Sequence, residues 1–120
     1  MDARTLARLH ALGRVAVGGA YVVAPGPAAR AWIGAESPGV RVLAVAFGAR
    51  DAGIGVGVLR AVREGHGARP WVRAGVLADV ADLVATLRAR HDVPASAVAG
   101  VAAVAAGSAA LGAWLARELD

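Results

Sequence analysis

Apolar residues along this chain fall into four runs, each close to the length a helix needs to cross a bilayer. Val93 to Ala116 is the cleanest, with 24 residues and no formal charge. At ~1.5 Å per residue that run suffices for a hydrocarbon core about 30 Å thick. Val40 to Leu59 gives 20 residues with Arg50 and Asp51 in its interior, and Leu6 to Ala24 gives 19 with His10 and Arg14. Trp71 to Leu87 gives 17, with Asp79 and Asp82 in its interior. The stretches between them, "PGPAARAWIGAESPG", "REGHGAR" and "RARHD", have the glycine, proline and charge content of turns.

This pattern predicts an all-α fold: a four-helix up-down transmembrane bundle forming one domain over residues 1–120. Spans are expected at about 6–24, 40–59, 71–87 and 93–116. Small residues four apart, Gly53 with Gly57 and Ser108 with Gly112, are the expected contact points between helices. The first connector has room for a short interfacial helix, Ala28 to Ile33, opened by Pro27 and closed near Gly34. An even number of spans puts both termini and the middle connector on one side. That side collects Arg4, Arg8, Arg60, Arg63, Arg69, Arg73 and Arg117, against Arg30, Arg41, Arg88 and Arg90 on the other. Seven against four assigns both termini to the cytoplasm. Trp71 and Trp114 then sit at one interface and Trp32 at the other.

Composition strengthens the membrane reading. Hydrophobic residues make up 58% of the chain and aromatics 4%, where a soluble domain has about 45–50% apolar residues. The excess is alanine, valine and glycine, which let helix backbones approach closely. No cysteine is present, which removes disulfide and thiol chemistry. All thirteen basic residues are arginine. They are dispersed along the chain rather than gathered in one patch, which argues against nucleic acid as a partner despite the basic pI. Two other readings of the runs fare worse. The first run resembles a signal peptide core, but "VVAPGPAA" is a poor cleavage region because proline follows the only well-placed alanine. "VRVLAVAF" before "GIGVG" resembles a buried strand and glycine loop, yet the spacing is not that of a dinucleotide fingerprint.

The interior charges converge. Measured from the cytoplasmic end of each span, Arg14, Arg50, Asp51 and Asp79 lie at a depth of roughly 12–14 Å and Asp82 at about 16 Å. Arg50 and Asp51 are adjacent, so they point about 100° apart and address different neighbours. Asp79 and Asp82 share a face and are expected to partner Arg50. Arg14 lies in a stripe with His10, Gly18 and Tyr21, and Asp51 is its expected partner. An unpaired charge in mid-membrane costs about 2.5–3.5 kcal/mol on the insertion scale, so pairing is close to obligatory. Three carboxylates face two arginines, which leaves one negative charge over and marks the Asp79–Asp82 pair as the expected holder of a proton. The polar-core candidates are therefore Arg14, Arg50, Asp51, Asp79, Asp82, His10 and Tyr21. His66 and His91 fall in connectors. Ser96 and Ser108 read as capping and packing residues. No nucleophile triad, phosphate cradle or metal-ligand spacing is present, so no metal or other cofactor is expected.

"FGARDAGIGVGVLRA" followed by "WVRAGVLADVADLVATLRAR" resembles the small four-helix bacterial membrane proteins of unknown function related to the DoxX-like group. Gly48, Arg50 and Asp51 fill that group's G-x-R-D motif, and Asp79 and Asp82 its third-span aspartates. The resemblance implies the four-helix fold and a bacterial, actinobacterial inner membrane, without implying an activity. The expected function is a non-enzymatic, multi-pass membrane protein whose charge layer fixes helix packing, as an accessory subunit or homo-oligomer within the lipid bilayer. The rival is a minimal transporter or proton-conducting bundle using the same layer. A membrane enzyme binding a lipid or quinone between helices is a third.

Overall fold

The computed structural model describes residues 1–119. Its order is α1 (Ala3–Val23), α2 (Pro25–Ile33), α3 (Pro38–Glu64), α4 (Ala68–Arg88) and α5 (Ala95–Glu118), with no strand among the described residues. The helix ends follow local chemistry. Asp2 caps α1 by accepting the Thr5 N–H at 2.7 Å, and Ser37 caps α3 by accepting from Val40 at 3.2 Å. Such oxygens satisfy donors that the first turn leaves free. Gly34 and Gly65 close α2 and α3 in the left-handed conformation, with φ of 71° and 86°, which glycine adopts without the Cβ penalty.

The apolar runs mark these helices but not their ends. Two of the four long helices, α3 and α4, outrun their apolar run at both ends and α1 outruns its own at the start, because arginine and glutamate are good helix formers. The fourth, α5, begins after Pro94 rather than at Val93, since the residue before a proline is driven out of the helical region. The short helix starts at Pro25, not Ala28. Both prolines fit in its first turn, where no backbone N–H is needed.

Contacts across the long helices give their directions. Gly18 meets Gly48 and Gly55 meets Ala11, so α1 and α3 run antiparallel. Trp71 covers Gly57 while Asp82 meets Arg50, and Val76 covers Gly112 while Asp79 meets Ser108, so α3–α4 and α4–α5 do too. The tightest packing is α1 on α3 and α4 on α5, and the two pairs join through α3 and α4. The long axis measures 42 Å, comparable to a bilayer including its headgroup regions. Two helices, α3 and α5, are long and apolar enough to cross a membrane, by length and composition; α1 and α4 do not meet that test.

Close approach depends on glycine, and of the residues expected at helix contacts Gly57, Ser108 and Gly112 face a neighbour while Gly53 does not. A Cβ on Gly18 would lie 2.5 Å from the Gly48 carbonyl oxygen, and one on Gly55 would lie 2.7 Å from that of Ala11. Gly57 does face a neighbour, the Trp71 ring, but Gly53 points outward and a Cβ there would meet nothing. Gly18, Gly48 and Gly55 therefore set the α1–α3 spacing. At the end carrying both termini, Ala7, Ala11, Val58, Ala61, Val72 and Leu115 close a core of mostly small side chains. At the opposite end α2 packs across α1, α3 and α5.

Candidate functional site

Arg14 projects from the middle of α1 into the space between all four long helices. Its guanidinium donates to Asp51 on α3 and to Asp79 on α4, to the Gly75 carbonyl at 3.1 Å and to Ser108 Oγ on α5 at 3.3 Å. Planar geometry lets one guanidinium serve several acceptors held in different directions. Gly75 makes room for it, since a Cβ there would stand 3.1 Å from the guanidinium carbon. Arg14, Asp51 and Asp79 are only 6%, 6% and 7% exposed.

Ser108 extends the network. Its Oγ donates to Asp79 Oδ2 at 2.7 Å, and His10 Nε2 lies 2.8 Å from the same Oγ. A serine hydroxyl has one hydrogen, and the bond to Asp79 uses it, so His10 Nε2 is the donor and the oxygen accepts. The chain His10, Ser108, Asp79, Arg14, Asp51 is thus one connected set of hydrogen bonds.

A second pair lies alongside. Arg50 on α3 grips Asp82 on α4 with two parallel bonds, of 3.1 and 2.6 Å, the strong bidentate arrangement for this pair. It is more open than the first, with the Arg50 side chain 37% exposed. The Arg50 guanidinium also sits 4.8 Å from the Phe47 ring centroid. Phe47, Tyr21 and Trp32 form a mutually edge-packed trio, with centroids 4.7 to 5.9 Å apart. Trp32 Nε1 donates to the buried Thr86 Oγ1 at 3.2 Å, tying α2 to α4. Outside this cluster, Glu36 pairs with Arg30 and Arg41 and pins α2 against the start of α3.

Above the Arg14 network the two helix pairs separate around a cavity of about 400 Å³. Its floor holds His10, Arg14, Asp51, Asp79, Asp82 and Ser108. The aromatic trio lines its upper part, and Gly100, Val101, Val104 and Ala105 of α5 form an apolar wall.

All seven residues singled out from the sequence come together here. Six carry the charges or line the cavity floor, and Tyr21 belongs to the aromatic trio. Two expected pairings occur, Arg14 with Asp51 and Arg50 with Asp82. The third does not: Asp79 bonds Arg14 instead of Arg50. The carboxylates sharing one cation are therefore Asp51 and Asp79, and Asp79 and Asp82 do not act as a pair. Ser108 is part of the network rather than a packing residue. Its one sequence signal is a hydroxyl in the middle of an uncharged run. Trp32 reads from the sequence as an interfacial residue and Thr86 lies on the face of Asp79 and Asp82, but their bond to each other and the packing of Trp32 on Phe47 arise from how α2 folds over the bundle. Among the described residues no cluster of side chains has the makings of a metal site.

No family model, curated protein or solved structure matches the chain.

Proposed function

We propose that this chain is a four-span integral membrane protein in which the buried arginine–aspartate network fixes how the helices pack, and that it serves as a non-enzymatic accessory subunit of a membrane complex. The observation that carries the reading is Arg14, buried at mid-length of its helix and bonded to the three other long helices at once. Such a group specifies one arrangement of the bundle, because any other leaves a charge without a partner. The distribution of side chains supports the membrane setting. Leu12, Val42, Leu43, Leu77 and Val104 are more than half exposed while Arg14, Asp51 and Asp79 are buried, the reverse of the usual order in water. The mid-helix charges of α1 and α4, Arg14, Asp79 and Asp82, are paired inside the bundle. Arg8 and Arg73 stand exposed towards the helix ends, so between those ends both helices present an apolar outer face. On this reading the chain lies in a bacterial inner membrane with both termini cytoplasmic. We also propose membership of the DoxX-like group, on Gly48, Arg50 and Asp51 in α3 with Asp79 and Asp82 in α4.

The cavity over the network favours a second reading, a minimal transporter or proton-conducting bundle. One experiment separates them. Purified chain in liposomes with a pH-sensitive dye inside is expected to leave an imposed pH gradient intact. Dissipation that Asp79→Asn abolishes would overturn the accessory reading in favour of conduction.

A further inference from the structure

The cavity between the helix pairs has a definite chemistry. Two sides are apolar or aromatic and the floor is ionic, so a ligand that fills it needs an apolar body and one polar end. The sign of that end follows from counting charge. Asp51, Asp79 and Asp82 all line the cavity, whereas Arg14 is the one arginine that does. Arg50 neutralises Asp82 from the side. With His10 neutral, the floor holds one carboxyl more than its arginines neutralise, and a bound cation favours the ionised form of that carboxyl while an anion opposes it. Rings add to this preference. Tyr21, Trp32 and Phe47 cluster at the other end of the same cavity, and Phe47 already takes the Arg50 guanidinium over its ring. Aromatic faces attract cations and do so more strongly where water is excluded.

We propose that this cavity binds a hydrophobic organic cation, an amine or quaternary ammonium carrying an apolar body. The volume of about 400 Å³ falls within the range of small-molecule sites. An anion of the same shape meets the uncompensated carboxylate and is rejected. A neutral molecule gains the apolar contacts alone. The inference goes beyond the packing role of the network and is tested apart from it.

The test uses the full chain in lipid nanodiscs, with phenyltrimethylammonium titrated against the intrinsic tryptophan fluorescence and empty nanodiscs as the blank. The neutral isostere tert-butylbenzene and the anion benzenesulfonate run in parallel. The expected result is saturable binding of the cation, about tenfold or more tighter than the neutral isostere, and no saturation by the sulfonate. Gly100→Leu is the blocking variant. Gly100 lines the cavity and a Cβ there meets nothing within 4 Å, so the leucine fills the space without touching the charges. It is expected to keep the parent melting temperature and lose cation binding. Asp51→Asn removes the surplus charge and is expected to reduce the cation's advantage over the neutral isostere to within about twofold. Equal binding of cation and neutral isostere by the parent chain would make this an apolar pocket and overturn the proposal. So would undiminished cation binding by a folded Gly100→Leu chain.

Discussion

Replacing Arg14 by alanine removes one side chain and strands two. Asp51 and Asp79 are then left facing each other, each about nine-tenths buried, with Ser108 as the remaining donor to Asp79. Breaking a buried pair by removing one partner costs about 3–5 kcal/mol, because the survivor is a charge without compensation. Protonation of one carboxyl relieves part of that cost, so the lower end of the range is the expected value. For a domain of this size a loss of about 3 kcal/mol lowers the melting temperature by on the order of 10 °C. The reasoning makes a second, sharper demand. If the loss comes from stranded charge, removing all three charges together restores stability. The triple variant Arg14→Met, Asp51→Leu, Asp79→Leu is expected to melt within about 1–2 kcal/mol of the parent, since apolar replacement of a buried ionic cluster is often neutral. The assay is thermal unfolding in detergent, followed by helical circular dichroism. An Arg14→Ala chain that melts like the parent would refute the argument. So would a triple variant as unstable as the single one.

Further outcomes follow from other parts of the bundle. Gly48→Ala drives a Cβ into the Gly18 carbonyl and Tyr21 and is expected to cost about 1–3 kcal/mol as overpacking. Gly53→Ala meets nothing and is expected to be neutral or to stabilise by up to about 1 kcal/mol through helix propensity; melting curves of the two distinguish them. The Thr5 N–H bonded to Asp2 holds that carboxyl below its usual 3.8, so the cap contributes fully above that value and is lost as pH falls through the lower folded value. Amide exchange in the first turn of α1 should accelerate over that acid range, and Asp2→Asn should remove the pH dependence. Reporters fused at either terminus are expected in the cytoplasm and one inserted beside Arg90 outside; a periplasmic C-terminal reporter would reverse the orientation.

The charge layer was legible because depth along a helix is arithmetic. Helices alternating in direction put Arg14, Asp51 and Asp79 at one level whatever their rotation. Rotation was not legible, and it decided the partner of Asp79. It is set by how closely α1 rides on α3 at Gly18, Gly48 and Gly55. That close approach brings Arg14 within reach of α4 and leaves Arg50 to Asp82 alone. Spacing also misread Gly53, because four-residue periodicity identifies a face without saying whether a helix or lipid covers it. Ser108 and Trp32 depend on long-range closure, α5 returning beside α1 and α2 folding over Thr86.

One further consequence follows from how lightly α1 and α5, the first and last long helices, touch. The ring of helices closes at His10 and Ser108, and above that point Gly13 and Val17 face Val101 and Val104 across the cavity. Such a bundle has a seam. Parting it above Ser108 separates only small and apolar side chains, while Arg14 still ties α1 to Asp79 and Ser108 at the base of the opening. In a chain embedded as proposed, that seam opens sideways onto acyl chains. A solute already dissolved in the lipid then enters between two helices without first passing into water, and the bilayer itself supplies its local concentration.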